Sequence, residues 1–188
     1  SIERVTKGIQ ITLRGNLFQS MKANVNKNYI PIIQEISKII EDCRLFNIEN
    51  SKQYSSLLTF LEQGNQELNV EIRCEGHTDD AILPPQSDFS NNWELSSARS
   101  LKVVNIMNDA SSISEKYFSY NGYGEFRPLI NVSGIVDFQK KKQARAYNRR
   151  VEIYLDAFAR PKTRSSEAEF VKMLDNKFKK EEKLQLSN

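Results

Sequence analysis

The chain has 188 residues, with 27 lysines and arginines against 24 aspartates and glutamates, so its formal charge is only +3. A hydrophobic content of 39% is enough for one packed core and excludes a wholly disordered chain, and no apolar run approaches the roughly 20 residues of a membrane helix. The charge surplus lies in residues 160–188, with eight basic and five acidic residues, so the total does not indicate a nucleic-acid-binding protein.

The first predicted elements are a short strand and a helix. Apolar and polar residues alternate from Ile9 to Leu13, as in a half-buried strand. Apolar residues then recur at helical spacing between Tyr29 and Cys43, with Pro31 in the first turn, where its missing N–H donor is harmless. The pattern therefore predicts a helix over this stretch.

A second helix and a second strand follow. Leucines recur on one helical face after Tyr54, and Gly64 is typical of a residue just beyond a helix end. Alternation from Val70 to Cys74 predicts a strand. The end of this strand delivers a polar cluster, made of Gly76, His77, Thr78, Asp79 and Asp80.

A third helix is predicted from Trp93 to about Asn108, with Asn91 or Asn92 as its N-cap. Two further strands are predicted, at residues 117–120 and 151–155. Helices interleaved with strands on a single core predict an α+β or α/β sandwich.

The end of the chain is predicted to be a separate segment. The character of the sequence changes beyond Arg160 and Pro161, where a capping box precedes apolar residues spaced four apart. These residues are Ser166 and Glu169 for the box, then Phe170, Leu174 and Phe178. We therefore predict one domain over residues 1–160 and an amphipathic helix or tail over residues 161–188.

Few residues could support catalysis or bind a metal. His77 is the one histidine and has no HxxxH or CxxC companion, and Cys43 and Cys74 lack metal-binding spacing, so they are expected to be free thiols. The sequence contains no GxSxG, GxGxxG or P-loop pattern. We therefore predict no metal, no cofactor and no enzymatic activity.

Arg99 is the most informative charged residue. It recurs with Leu95, Val103 and Met107 on the helical stripe that should face the sheet, and a buried arginine is normally paired. A structural ion pair with Asp79 is one interpretation. Alternatively, an aspartate and an arginine presented together offer an acceptor for an ammonium group and a fork for a carboxylate, which complements a free amino-acid centre. The spacing leaves both interpretations open.

Four blocks of sequence occur in an order that is found in a known family. They are GHTD at 76–79, NWELSSARS at 92–100, GYGEFRP at 122–128 and RAYNRRVEI at 145–153. Over residues 9–156 the chain resembles the OmpA C-terminal-like peptidoglycan-binding family, and within it the periplasmic domains of MotB-like flagellar motor stators. The resemblance implies an α+β, OmpA-like βαβαβ-type sandwich with a mixed sheet and helices on one face.

The resemblance also implies a function, which is non-covalent binding of the zwitterionic end of a diamino acid in a peptidoglycan stem peptide. Asp79 would accept the ammonium group and Arg99 would clamp the carboxylate. The other implied site residues are Thr78, Asn92, and Arg149 or Arg150. Further expectations are a periplasmic location, a homodimer and a MotA-like stator subunit, reached through a membrane segment that this chain lacks. Ser1 would then mark the boundary of an excised piece.

Two alternatives stay open at this point. A non-motility OmpA-like protein could anchor another envelope assembly, and a nucleic-acid-binding domain could use the basic run from Lys140 to Arg150. Two stretches exceed the family pattern, at about residues 43–68 and 131–143. A solvated loop is expected for the second stretch, which includes Lys140, Lys141 and Lys142.

Overall fold

A computed structural model describes residues 2–5, 8–19, 21–50 and 52–162. Its strands and helices are β1 (Ile2–Val5), β2 (Gly8–Arg14), α1 (Ile30–Glu41), α2 (Ser55–Gln63), β3 (Gln66–His77), α3 (Asn92–Asp109), β4 (Phe118–Gly122), α4 (Phe138–Asn148) and β5 (Arg150–Pro161). The predicted C-terminal helix falls on residues 163–188, outside the described residues, and Pro161 is the last residue of β5.

The strands form one mixed sheet in the order β1-β2-β5-β3-β4. The pair of β3 and β4 is parallel, and the other neighbours are antiparallel. The central pair, β3 with β5, runs from Gln66 opposite Pro161 to His77 opposite Arg150. Because these two strands are antiparallel, the residues that follow β3 lie at the same end of the sheet as the residues that precede β5.

The core lies between one face of the sheet and the helices α1 and α3. Ile72 on β3 and Ile153 on β5 are fully buried, as are Ile33 on α1 and Val103 and Met107 on α3. Alternation along a strand sends every second side chain to this face. Burial of each such side chain contributes about 1.5–3 kcal/mol, and this apolar face explains the helix periodicity of the sequence.

Two glycines allow α3 to lie directly against the sheet. A Cβ atom at Gly76 would be 2.1 Å from the carbonyl oxygen of Ser96, and one at Gly122 would be 2.4 Å from the amide nitrogen of Ser97. Both obstacles are helix backbone, so they cannot rotate away. The N-terminal turns of α3 therefore approach the ends of β3 and β4 closely because these positions lack side chains.

The opposite face of β3 and β5 carries a network of charged groups. Arg73 donates to Glu75 at 2.8 Å and to Asp156 at 2.9 Å. Arg150 donates to Glu152 at 2.6 Å. Burial raises the pKa of the Glu152 carboxyl, but the nearby His77 ring, hydrogen bonds from Arg150 and Tyr154 and the charge of Arg150 outweigh burial and lower the pKa to about 2. This carboxylate therefore stabilises the fold in its charged form.

Two elements differ from the sequence prediction. Strand β1 was not predicted, and the solvated loop expected for residues 131–143 is wrong over 138–143, where α4 begins. Asp137 caps this helix by accepting a hydrogen bond from the backbone N–H of Lys140 at 2.7 Å. Among the residues that the structure describes, none of the helices combines the length and hydropathy needed to cross a bilayer.

The lowered pKa of Glu152 predicts how stability depends on pH. The folded-state pKa lies below the unfolded value of about 4.3, so the contribution is present above that pH and is lost as the pH falls towards about 2. Urea denaturation between pH 5 and 2 should show a smaller loss of unfolding free energy for Glu152→Gln than for the unmodified chain. Glu62→Gln, at an exposed ion pair with Lys162, should behave like the unmodified chain; identical pH dependence of all three proteins would contradict the assignment.

The close approach of α3 predicts that Gly76→Ala is destabilising. The added methyl group meets backbone, and overpacking of this kind costs about 1–3 kcal/mol. Gly64→Ala is the matched control because its nearest contact would be an ordinary 3.5 Å. Urea midpoints should therefore fall for Gly76→Ala and change little for Gly64→Ala, and equal midpoints would show that the helix can move away without cost.

Candidate functional site

The ends of three elements meet around one cavity. Thr78 and Asp79 follow β3, Asn92 begins α3, and Arg149 precedes β5. The cavity has a volume of about 60 Å³ and is lined by Met21, Thr78, Asp79, Ala81, Leu83, Asn92, Leu95, Arg99 and Arg149. The structure therefore brings together five of the six side chains that the sequence analysis named.

Asp79 is held by two donors. Its Oδ2 accepts a hydrogen bond from Nη1 of Arg149 at 2.5 Å, and its Oδ1 accepts one from the backbone N–H of Ala81 at 3.1 Å. The ion pair with Arg149 joins residues 70 positions apart. Only 9% of the surface of Asp79 is exposed, so its carboxylate is oriented before any ligand arrives.

Arg99 is buried, with 3% of its surface exposed, and forms no ion pair among the described residues. Its Nε donates to the carbonyl of Lys22 at 3.0 Å, its Nη2 donates to that of Gln19 at 3.4 Å, and its guanidinium lies 4.9 Å from the ring of Phe18. The structural ion pair considered for Arg99 and Asp79 is therefore absent, because the carboxylate is bonded to Arg149 instead.

The charge of Arg99 persists despite its burial. Burial lowers the pKa of the guanidinium to about 10, Asp79 raises it in part, and Arg149 lowers it further. A pKa near 10 still leaves this group positively charged at neutral pH. The cavity thus contains a buried cation that forms no ion pair with any carboxylate in the described part of the chain.

Thr78 and Asn92 complete the polar lining. Oγ1 of Thr78 is buried without a hydrogen bond, while the backbone N–H of this residue donates to Gly124 at 2.9 Å. The side-chain amide of Asn92 donates to the carbonyls of Ala81 at 3.1 Å and Asp79 at 3.4 Å. Asn92 therefore holds the loop after β3, while the hydroxyl of Thr78 is available to a ligand.

Arg150 does not line the cavity. Its side chain is buried on the same sheet face as Glu152, and it donates to that carboxylate and to the carbonyls of Asn148 and Arg127. The family resemblance implies either Arg149 or Arg150 as the site residue. The geometry favours Arg149 as the site residue, and Arg150 has a structural environment.

One contact near the cavity was missed by the sequence analysis. Arg145 on α4 forms a two-pronged ion pair with Asp80, at 2.7 and 3.0 Å, and this pairing lowers the pKa of the Asp80 carboxyl. The pair fixes α4 beside the loop after β3. The run of basic residues just before Arg149 is the one sequence feature that points to this contact. The sequence pattern does not predict helix α4, which places Arg145 next to Asp80.

The three arginines of the basic run are paired within the fold. Arg145, Arg149 and Arg150 each pair with a carboxylate, those of Asp80, Asp79 and Glu152 respectively. A nucleic-acid surface requires basic groups that are free to bind phosphates. This pairing therefore counts against the nucleic-acid alternative.

The described residues that could together bind a metal ion are Glu75, His77 and Glu152, whose donor atoms lie within 4.8 Å of one another. Both carboxylates already accept hydrogen bonds from guanidinium groups, Glu75 from Arg73 and Glu152 from Arg150. His77 is stacked on Tyr123 with ring centroids 5.4 Å apart. The arrangement is that of a buried ion-pair network, and the absence of a metal stays a prediction.

A model of the OmpA family matches residues 17–149. The chain belongs to the OmpA family. In sequence it is similar to Motility protein B of Bacillus subtilis strain 168, with 27% identity over 151 residues, which cover 80% of this chain and 46% of that protein. It is also similar to the uncharacterized protein YtxE of the same organism, with 29% identity over 120 residues, which cover 62% of this chain and 46% of that protein. The chain therefore spans about half the length of these curated relatives.

Similar solved structures confirm the predicted fold class. The periplasmic domain of Helicobacter pylori MotB matches with a TM-score of 0.59 and 22% identity, over 94% of this chain and 88% of that chain. The cell wall anchor of the T6SS from Pseudomonas aeruginosa matches with a TM-score of 0.56 and 22% identity, over 84% of this chain and 87% of that chain. The mixed α+β sandwich and the resemblance to MotB-like domains are thus confirmed.

The different environments of the two neighbouring arginines give a prediction. Arg150→Gln leaves the buried Glu152 without its cation and should cost about 3–5 kcal/mol of unfolding free energy. Arg149→Gln removes a pair whose arginine side chain is 36% exposed, so its cost should be below about 1 kcal/mol. Urea denaturation of both variants checks this, and a larger loss for Arg149→Gln would contradict the assignment of roles.

Proposed function

We propose that this chain binds peptidoglycan non-covalently and holds the zwitterionic end of a stem-peptide diamino acid in the cavity between Asp79 and Arg99. The single observation that supports this proposal is that one cavity contains a carboxylate and a buried guanidinium that are not bonded to each other. Asp79 accepts the ammonium group, and Arg99 donates to the carboxylate. Thr78 Oγ1 supplies a further polar contact.

The ligand ammonium replaces Arg149 in part of its contact with Asp79. Because Arg149 is only half-buried, it can move while the backbone N–H of Ala81 continues to hold the other oxygen of the carboxylate. Each charged hydrogen bond contributes about 1.5–3 kcal/mol. One site therefore gives a modest affinity, which many sites on one cell wall would increase through avidity. No step of this function requires bond making or breaking.

The biological role that fits this binding is anchoring of a flagellar motor stator to the cell wall. The similarity to Motility protein B and to the MotB periplasmic domain supports this role. The protein would then act in the periplasm as a homodimer, attached to the inner membrane and associated with a MotA-like subunit.

An anchor of another envelope assembly is the second candidate, because the T6SS cell wall anchor matches this fold almost as well as MotB does. The N-terminal sequence of the full-length gene product separates the two roles. A single membrane helix with an embedded aspartate favours the stator, whereas a lipoprotein leader favours the other anchor.

Co-sedimentation with purified peptidoglycan tests the binding. The unmodified chain should sediment with the cell wall, and Asp79→Asn and Arg99→Gln should each lose most of this binding because one half of the zwitterion is left without a partner. Asp80→Asn is the matched control, since the Asp80 carboxylate pairs with Arg145 and does not line the cavity. Free diaminopimelate should compete, and cadaverine, which has no carboxylate, should not.

Circular dichroism of each variant separates loss of binding from loss of fold. Full sedimentation of folded Asp79→Asn and Arg99→Gln would refute the proposed site, and a loss with Asp80→Asn equal to that with Asp79→Asn would indicate a non-specific charge effect.

A further inference from the structure

A second cavity, of about 220 Å³, adjoins the first and shares Arg99 and Arg149 with it. Its remaining lining comes from the loop after β2 and from α4, through Gly15, Asn16, Phe18, Gln19 and Lys142. The two cavities therefore form neighbouring spaces beside the same pair of guanidinium groups.

The second cavity is positively charged. Its described lining contains three basic side chains, those of Arg99, Lys142 and Arg149, and no acidic one. The nearby carboxylate of Asp79 is bonded to Arg149 and can neutralise only one of these charges. Arg149 also lowers the pKa of Arg99, as expected for two cations in proximity.

Several donors in the second cavity have no partner within the described part of the chain. Arg99 is bonded through Nε and Nη2 but not through Nη1, and Arg149 is bonded only through its Nη1. Lys142 forms neither a side-chain hydrogen bond nor an ion pair with any described residue. Cationic donors of this kind match a carboxylate, which offers acceptors on two oxygens.

We propose that the second cavity is a subsite for another carboxylate of the same stem peptide, with Lys142 as the residue that distinguishes it from the first cavity. The inference rests on the proposed function, since it assumes that a diamino acid occupies the first cavity. A stem peptide carries further carboxylates, on its γ-linked glutamate and at its C-terminus. One of these enters the second cavity and bonds to Lys142 and Arg149, so the subsite selects stems that carry this group as a free acid.

Three synthetic stem tripeptides, alanyl-γ-glutamyl-diaminopimelate, test the inference by calorimetry or fluorescence anisotropy. One has every carboxylate free, one has an amide on the glutamate α-carboxyl, and one has an amide at the C-terminus. The unmodified chain should bind one of the two amides about tenfold more weakly than the free acid, the loss expected for one charged contact. Lys142→Gln should bind the free acid about tenfold more weakly and no longer distinguish it from that amide.

Lys140→Gln is the matched control, because it removes the same charge from the same helix at a residue that lines neither cavity. This variant should retain the preference for the free acid. Equal affinity of the unmodified chain for all three peptides, or equal losses in Lys140→Gln and Lys142→Gln, overturns the second subsite while the proposed function stands. If the unmodified chain binds none of the peptides and no cell wall, the proposed function fails and this inference fails with it.

Discussion

The antiparallel pairing of β3 with β5 determines where the charged groups of the cavity lie. Because His77 pairs with Arg150, the residues that follow one strand and precede the other meet at the same edge of the sheet. Asp79 and Arg149 thereby come within hydrogen-bonding distance across 70 positions of sequence. A shift of β5 by one residue would send its side chains to the opposite face of the sheet. It would exchange the buried apolar residues of β5 with its ion-paired ones, so core packing and site geometry depend on the same register.

The burial of Arg99 explains why the cavity suits an anion. A guanidinium removed from water loses solvation that backbone carbonyls and an aromatic ring restore only in part. This loss of solvation lowers the pKa of Arg99, and the positive charge of Arg149 lowers it further. A bound carboxylate would neutralise the charge of Arg99. Because folding has already removed this guanidinium from water, ligand binding does not have to desolvate it again. The same electrostatic argument extends to the second cavity, where Lys142 adds a third positive charge.

Local sequence patterns predicted most of the helices and strands, because those patterns report which face of an element is apolar. Gly64 predicted the end of α2, and Asn91 or Asn92 predicted the start of α3; in the structure Asn91 is the N-cap, whose side chain accepts a hydrogen bond from the backbone N–H of Glu94. Helix α4 escaped prediction since its sequence is mostly polar and its buried residues are only Ala144 and Asn148. Its position depends on contacts with distant residues, such as the pair of Arg145 with Asp80, which no local periodicity records.

The sequence by itself determined the class of fold, the family and the set of charged residues from which a zwitterion site could be built. Four ordered blocks and the apolar stripe around Arg99 were sufficient for this. Each block, and the stripe, consists of residues close together in the chain, and the order of the blocks is visible in the sequence. The tertiary structure decided which charges are paired: Asp79 with Arg149, Arg150 with Glu152, and Arg99 with no carboxylate among the described residues. Pairing depends on distances between elements far apart in sequence and on which face each side chain occupies, and only the packed sheet and helices fix those distances.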